Sequence, residues 1–245
     1  MAQENIHPIF DRLLQTETKE ASLKQRGKVI WLIGLSGSGK STIAINLAVS
    51  FAIRGYRTCI LDTDNEQRSA MKWQQDRPED LTDIPVFGAE VEQLTKLTKE
   101  LKKSYDLIII DGSPRLEGHG EIIMVVSDIV VIPLKPAILD FRSTEKFIMS
   151  YRKVNALKQA QDLELKPCIV LNDADIRTLS YQDMKGAVES LKEGLFHTIP
   201  SLVAFRDCIQ EGQGIIEYDK KRALKSFSPF VDSLEKLFTS ERLSA

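Results

Sequence analysis

Nine consecutive residues, Gly34-Leu-Ser-Gly-Ser-Gly-Lys-Ser-Thr42, limit what this chain can fold into more than any other stretch. Three glycines and two small serines leave the backbone unhindered just before a lysine and two hydroxyls. The run from Lys28 to Ile33 reads as a buried strand. The stretch from Ser41 to Arg54 reads as a helix with Ile43, Leu47 and Phe51 on one face, closed by Gly55. A strand, a tight bare loop and a helix in that order commit the chain to a βα unit with the loop at the strand's carboxyl end.

The string satisfies G-x-x-x-x-G-K-[ST], the Walker A pattern, at every fixed position. In such a loop successive backbone N–H groups turn inward to cradle a polyphosphate, and only small residues let the backbone come that close. Gly37, Ser38, Gly39, Lys40, Ser41 and Thr42 are therefore the expected nucleotide-binding set. Lys40 would reach the outer phosphates, Ser41 would ligate Mg²⁺, and the positive end of the helix would face the anion. ATP and Mg²⁺ are the cofactors this pattern calls for.

A second strand, Arg57 to Leu61, carries Asp62-Thr-Asp64 at its carboxyl end. In a parallel sheet of βαβ units all such ends lie on one edge, so both carboxylates are expected at the nucleotide and its metal. Leu107-Ile-Ile-Ile-Asp111 is four apolar residues closed by an acid, a Walker B pattern that would deliver Asp111 to the Mg²⁺. Ser127–Pro133 and Lys166–Leu171 read as further buried strands. The second leads to Asn172, whose amide could pair with a donor and an acceptor of a base.

Between the strands, a helix is expected to start within Asn65–Gln75. Others are expected over Glu90–Lys103, Phe141–Leu157, Tyr181–Glu193 and Ala204–Glu211, with Leu134–Asp140 a loop. A closing helical region, Glu217–Phe238, is expected to break near Pro229. Strand and helix alternate throughout, so the class is α/β: a P-loop NTPase with a mostly parallel twisted sheet flanked by helices on both faces. Residues 1–26, with Ile6, Ile9, Phe10, Leu13 and Leu14 at helical spacing, read as an N-terminal arm, and residues 27–245 as one P-loop ATPase domain.

Thirty-three basic residues against thirty-five acidic ones leave a net charge of −2, so any polyanion must be met by a local patch. Cys59, Cys168 and Cys208 are odd in number and form no C-x-x-C pair, which points away from a disulfide framework or zinc site. No run of 18 apolar residues and no charged-then-apolar leader occurs, so the expectation is a cytosolic protein without a membrane partner.

From Ile43 to Asp219 the chain resembles the ParA/MinD family of deviant Walker ATPases. The likeness rests on Ala44-Ile-Asn-Leu-Ala48, Leu61-Asp-Thr-Asp64 with Ser69-Ala-Met-Lys-Trp73, and Tyr105-Asp-Leu-Ile-Ile-Ile-Asp111-Gly-Ser-Pro114. Ser127–Pro133 with Leu139-Asp140, and Glu211-Gly-Gln-Gly214 before Glu217-Tyr218, extend it. The resemblance implies an ATP-dependent homodimer that binds non-specific DNA at the nucleoid, positions or segregates a cargo and is reset by an adaptor or activating protein. It assigns Asp64 to the attacking water, with Lys40 and Asp62 assisting. It places DNA-binding basic sites at Arg177, Arg206, Lys220, Lys221, Arg222 and Lys225. Residues 201–245 balance seven basic against seven acidic side chains, so only clustering in space could make a patch there.

One position departs from that family. Its signature lysine, which crosses the dimer interface to the partner's phosphates, is here Leu35, as in a branch resembling the carboxysome-positioning ATPase McdA. A cation relocated to Lys146, with Lys135 as the next choice, would restore the charge balance. A second resemblance covers Ile6 to Thr42 and Leu61–Asn65, which look like adenylyl-sulfate kinase. It implies a small-molecule kinase on the same loop, although no arginine-rich substrate and lid segment of the kinase type follows Asn65.

Overall fold

The computed structural model describes residues 27–112, 120–218 and 221–243, without the side chains of 138–146 and 239–243. The expected N-terminal arm, Ser113-Pro114 and Lys220 lie outside the described residues. So does the Lys146 side chain.

Among the described residues seven strands form one wholly parallel sheet: β1 (Lys28–Leu32), β2 (Thr58–Asp62), β3 (Val86–Gly88), β4 (Leu107–Asp111), β5 (Ile129–Leu134), β6 (Lys166–Ala174) and β7 (Leu195–Pro200). Their order is β3-β2-β4-β1-β5-β6-β7. Every residue of β2, β4 and β5 is buried. That is why these strands read as continuous apolar runs and not as alternating ones.

Among the described residues nine α-helices lie between and after them: α1 (Lys40–Ile53), α2 (Ser69–Gln75), α3 (Leu94–Leu101), α4 (Gly120–Val126), α5 (Ile138–Gln159), α6 (Leu179–Leu191), α7 (Ala204–Gln210), α8 (Ile215–Tyr218) and α9 (Arg222–Leu243), with a 3-10 turn at Val91–Gln93 leading into α3. Alternate strand residues feed two cores. Ile30, Leu32, Ile60 and Ile109 join α1, Trp73 and Phe205 with Phe227, Phe230 and Leu234 of α9. Val29, Trp31, Ile108 and Ile110 join Leu94, Ile123, Ile148, Tyr151 and Met184. The expected helices on both faces are present.

Four local readings are corrected. α1 is buried from Ile43 through Phe51 and not only on the Ile43, Leu47, Phe51 face, because the carboxyl-terminal helices cover the side turned away from the sheet. α4 was not anticipated, as its seven residues are too few to display a period. α5 begins at Ile138, ahead of the expected Phe141, and β5 runs on through Pro133 to Leu134. α9 passes Pro229 without a break. A proline there removes the one backbone bond to the fourth residue back, and the buried Phe227, Phe230, Val231 and Leu234 around it hold the helix on the core.

A buried ion pair fastens the carboxyl-terminal third to the strand-tip helix α2. Arg77 and Glu217 are 4% and 8% exposed and joined by two hydrogen bonds of 3.0 and 2.7 Å. The Arg77 guanidinium also donates to the Gly212 and Thr82 carbonyls and lies over the Trp73 ring. Gly212 has φ 65°, and a methyl group on it would stand 2.3 Å from the Asp76 carbonyl oxygen, so the turn that builds this clasp accepts only glycine.

Removing one member of a buried pair leaves the other charge unpartnered, at a cost of about 3–5 kcal/mol. Arg77→Met should lower the thermal unfolding midpoint by roughly 6–20 °C in a chain of this size. Adding Glu217→Leu should recover part of the loss. Thermal melts of the two variants beside the parent check this, and an unchanged midpoint in the single variant would refute it.

Candidate functional site

The register of three central strands assembles the site. Leu32 of β1 pairs with Asp111 of β4, and Asp111 pairs with Asp62 of β2. Three strand ends thus finish level beside the loop that leaves β1. Connections from β1 and from its neighbour β5 run to opposite sides of the sheet, and such a switch point opens a crevice at the carboxyl edge.

Gly34–Gly39 folds tightly in that crevice. A methyl group on Gly34 would sit 2.9 Å from the Pro133 carbonyl oxygen at the end of β5. Gly37 and Gly39 have φ 75° and 96°, the left-handed region that side chains disfavour. A methyl group on Gly39 would stand 2.1 Å from Nδ2 of Asn172. Gly39 caps α1 without a side-chain hydrogen bond, and no acidic residue lies in the first turn, so the helix presents bare N–H groups and its positive end to the loop.

Lys40 is 7% exposed, and its ammonium donates to the carbonyls of Gly34 at 2.9 Å and Leu35 at 3.0 Å. Burial lowers its pKa, while the negative charges of Asp111 and Asp64 pull it back up. An arriving phosphate would exchange those carbonyls for a stronger, charge-assisted partner.

Asp111 is 2% exposed, and neither carboxylate oxygen has a hydrogen-bond partner among the described residues. Burial pushes its pKa up to about 7, against the opposing influence of the nearby Ser41 hydroxyl and Lys40. The Ser38 hydroxyl is likewise buried and unpartnered. Orphaned polar atoms beside a hydroxyl at a bare helix start fit a hydrated divalent cation held jointly by protein and phosphate. No group of three or more His, Cys, Asp or Glu among the described residues could hold a metal by itself. Magnesium is usually bound through one or two carboxylates plus substrate phosphates, and this donor set suits that mode.

The two strand-tip acids differ. Asp62 is 1% exposed and accepts from three backbone N–H groups, those of Asp64 at 3.1 Å, Ala70 at 3.0 Å and Met71 at 3.2 Å. It therefore ties the loop to the start of α2, and this is why α2 begins at Ser69, after Arg68 at φ 48°, well inside the expected Asn65–Gln75. Burial raises the Asp62 pKa, partly offset by those N–H bonds. Asp64 is half-buried, and its Oδ1 accepts from the Glu66 and Gln67 backbones.

Asn172 donates from Nδ2 to the Ser38 carbonyl at 2.8 Å. No sequence signal announced this bond, which joins residues 134 positions apart. Arg177 is exposed after β6 and bonds to the Asp175 carboxylate, with Nη2 to Oδ2 at 2.9 Å. Arg206 is exposed on α7, and Lys221, Arg222 and Lys225 are exposed at the start of α9, so these cations stand on three separate elements. Lys135 is exposed past the end of β5, with its Nζ 3.8 Å from Asp173. Leu35 is 39% exposed.

Comparison with known proteins agrees with this geometry. The model of the CobQ/CobB/MinD/ParA nucleotide binding domain family matches residues 30–215. The septum site-determining protein MinD from Pyrococcus horikoshii, solved with Mg-ADP, is 20% identical, covers 86% of this chain and 97% of its own, and superposes with TM-score 0.66. Apo McdA from Cyanothece is 14% identical over 84% of this chain and 99% of its own, with TM-score 0.68. At these identities the likeness is one of fold. An adenylyl-sulfate kinase of Phocaeicola vulgatus is 58% identical over 65 residues, which is 26% of this chain and 32% of the kinase. The chain thus spans about a third of the length of the curated relatives it matches first. No helix among the described residues is long and apolar enough to cross a membrane.

A carboxyl whose pKa rises from 3.8 unfolded to about 7 folded binds its proton more tightly in the native state. Stability from this group is therefore undiminished below pH 3.8, falls as pH rises between the two values, and is lowest above pH 7. Asp111→Asn removes the buried charge but leaves an amide there. Without nucleotide, the variant should be more stable than the parent at pH 8 by roughly 1–3 kcal/mol, with the gap closing toward pH 5. Melts across that range check it, and a parent that outlasts the variant at pH 8 would refute it.

Proposed function

Because the chain belongs to the CobQ/CobB/MinD/ParA nucleotide-binding family, we propose that it is an ATPase switch. It dimerises on ATP, binds DNA without sequence preference and positions or segregates a cargo until an adaptor protein stimulates hydrolysis. The observation that carries the reading is the buried Asp111 carboxylate, without a hydrogen-bond partner among the described residues, level with Asp62 and beside Lys40 at the mouth of the Gly34–Gly39 loop.

Each residue has a task in this reading. The loop N–H groups with Gly37, Ser38, Gly39 and Thr42 cradle the phosphates, and Lys40 neutralises the outer ones. Ser41 and Asp111 would hold Mg²⁺, which supplies charge neutralisation to the transferring phosphoryl group. Asp64 orients the attacking water, while Asp62 keeps that strand tip and α2 in place. Asn172 pairs with the base. Leu35 cannot serve as a cross-interface cation, so Lys146 or Lys135 takes that part. The protein works in the cytoplasm at the nucleoid, and residues 1–26 are an arm on a single P-loop domain.

The 58% identity to an adenylyl-sulfate kinase over 65 residues supports a second reading, a small-molecule kinase. Phosphate transfer onto adenylyl sulfate would favour it. Slow ATP hydrolysis accelerated by DNA or a partner favours the switch.

Lys40→Ala should weaken ATP binding roughly tenfold or more, through loss of charge-assisted contacts. Asp64→Ala should keep ATP bound and slow turnover by about 100- to 10,000-fold. Equilibrium binding and single-turnover hydrolysis separate the two, and parent-rate hydrolysis by Asp64→Ala would remove its role. For the DNA surface, changing Arg206 and Lys221 together to Glu should abolish ATP-dependent retention on duplexes of any sequence. It should also flatten the slope of log affinity against log salt by about 2. Equal retention by parent and variant would exclude these residues as the DNA site.

A further inference from the structure

We infer that Asn172 is a positioning residue for the phosphate loop, setting the loop's shape before any nucleotide arrives. Asn172 Nδ2 donates at 2.8 Å to the Ser38 carbonyl and fills the space above Gly39 that any side chain there would need.

The loop consequence follows from the peptide unit itself. A trans peptide is planar, with its C=O and N–H pointing in opposite directions. Anchoring the Ser38 carbonyl on Asn172 therefore turns the Gly39 N–H away from Asn172. Gly39 N–H belongs to the row of amides that such a loop offers to a phosphate. Gly39, at φ 96° and without a side chain, permits this plane, and the Asn172 amide holds it.

The end of β6 is built to aim that amide. Pairing between β6 and β7 shifts register between Leu171 and Ala174, and Asp173 within the shift adopts φ 53°. The distortion is fixed from two sides. The Ser201 hydroxyl donates to Asp173 Oδ1 at 2.5 Å, and Lys135 Nζ lies 3.8 Å from Asp173 Oδ2. Ser201 N–H also bonds the Ala174 carbonyl at 3.0 Å. A bulge that redirects one side chain beside a functional loop is a recurrent use of this irregularity. With Nδ2 held by Ser38, the Asn172 carbonyl oxygen and its second N–H remain for a ligand, so one side chain couples occupancy above it to the shape of the loop beneath it.

The inference rests on phosphate binding at this loop and is independent of whether the protein is a switch or a kinase. Two variants separate hydrogen bonding from space filling. Asn172→Ala removes both, and Asn172→Asp keeps the shape but loses the donor. Hydrogen exchange of the nucleotide-free protein should show faster exchange over residues 34–43 in both variants, with β1 and β4 amides unchanged. Binding of Mg-tripolyphosphate, which has no base, should fall roughly tenfold in Asn172→Ala for one lost buried contact, and binding of Mg-ATP by at least that factor. Parent-like exchange in Asn172→Asp would reduce the side chain to packing. An affinity loss confined to Mg-ATP would make Asn172 a base contact only. Either result overturns the inference, and neither bears on turnover, which tests the proposed function separately.

Discussion

The in-register pairing of β1 with β4 and of β4 with β2 is the constraint on which the site depends. A parallel ladder brings chain ends together on one edge, but the level at which each strand stops is set by register alone. Here Leu32, Asp111 and Asp62 stop together. A slip of one residue would turn every alternate side chain to the other face and carry Asp111 away from the loop. The strands resist such a slip because both faces are covered: Ile109 belongs to one core, and Ile108 and Ile110 to the other.

Around that edge the protein accepts an electrostatic cost. Burial penalises the charged forms of Asp111, Asp62 and Lys40 alike. Asp62 recovers much of its penalty through three backbone N–H bonds, and Lys40 through two loop carbonyls. Asp111 recovers less: the nearby Ser41 hydroxyl and Lys40 offset only part of its burial, and neither oxygen has a hydrogen-bond partner among the described residues. Local destabilisation of this kind marks groups whose partner comes from outside the fold. It agrees with membership of a nucleotide-binding family whose model runs from residue 30 to residue 215.

The carboxyl-terminal third is tied to the site from behind. Asn46 on α1 accepts from the Ile215 N–H and donates to the Thr42 carbonyl. Arg77, just past α2, grips Glu217 and the Gly212 carbonyl. The Glu211-Gly-Gln-Gly214 turn is thus held by both the loop's helix and the helix that Asp62 caps.

Much of the protein was legible in the chain. Gly34–Thr42 requires a strand–loop–helix, the run Leu107–Asp111 can only be a doubly covered strand, and Asp62 and Asp64 had to arrive at its edge, since spacing and apolar runs are local properties. What local patterns do not encode is direction at long range. The structure alone decided that Asp62 caps α2, that Asn172 grips Ser38, and that Arg77 meets Glu217: the last two bonds join segments 134 and 140 positions apart, and the first closes an irregular loop whose path no period sets. α4 and the unbroken α9 were hidden for the same reason: seven residues display no period, and packing on the core outweighs one proline. Sequence determines which elements form and which edge carries the chemistry, and tertiary packing determines which side chains on that edge are already spoken for.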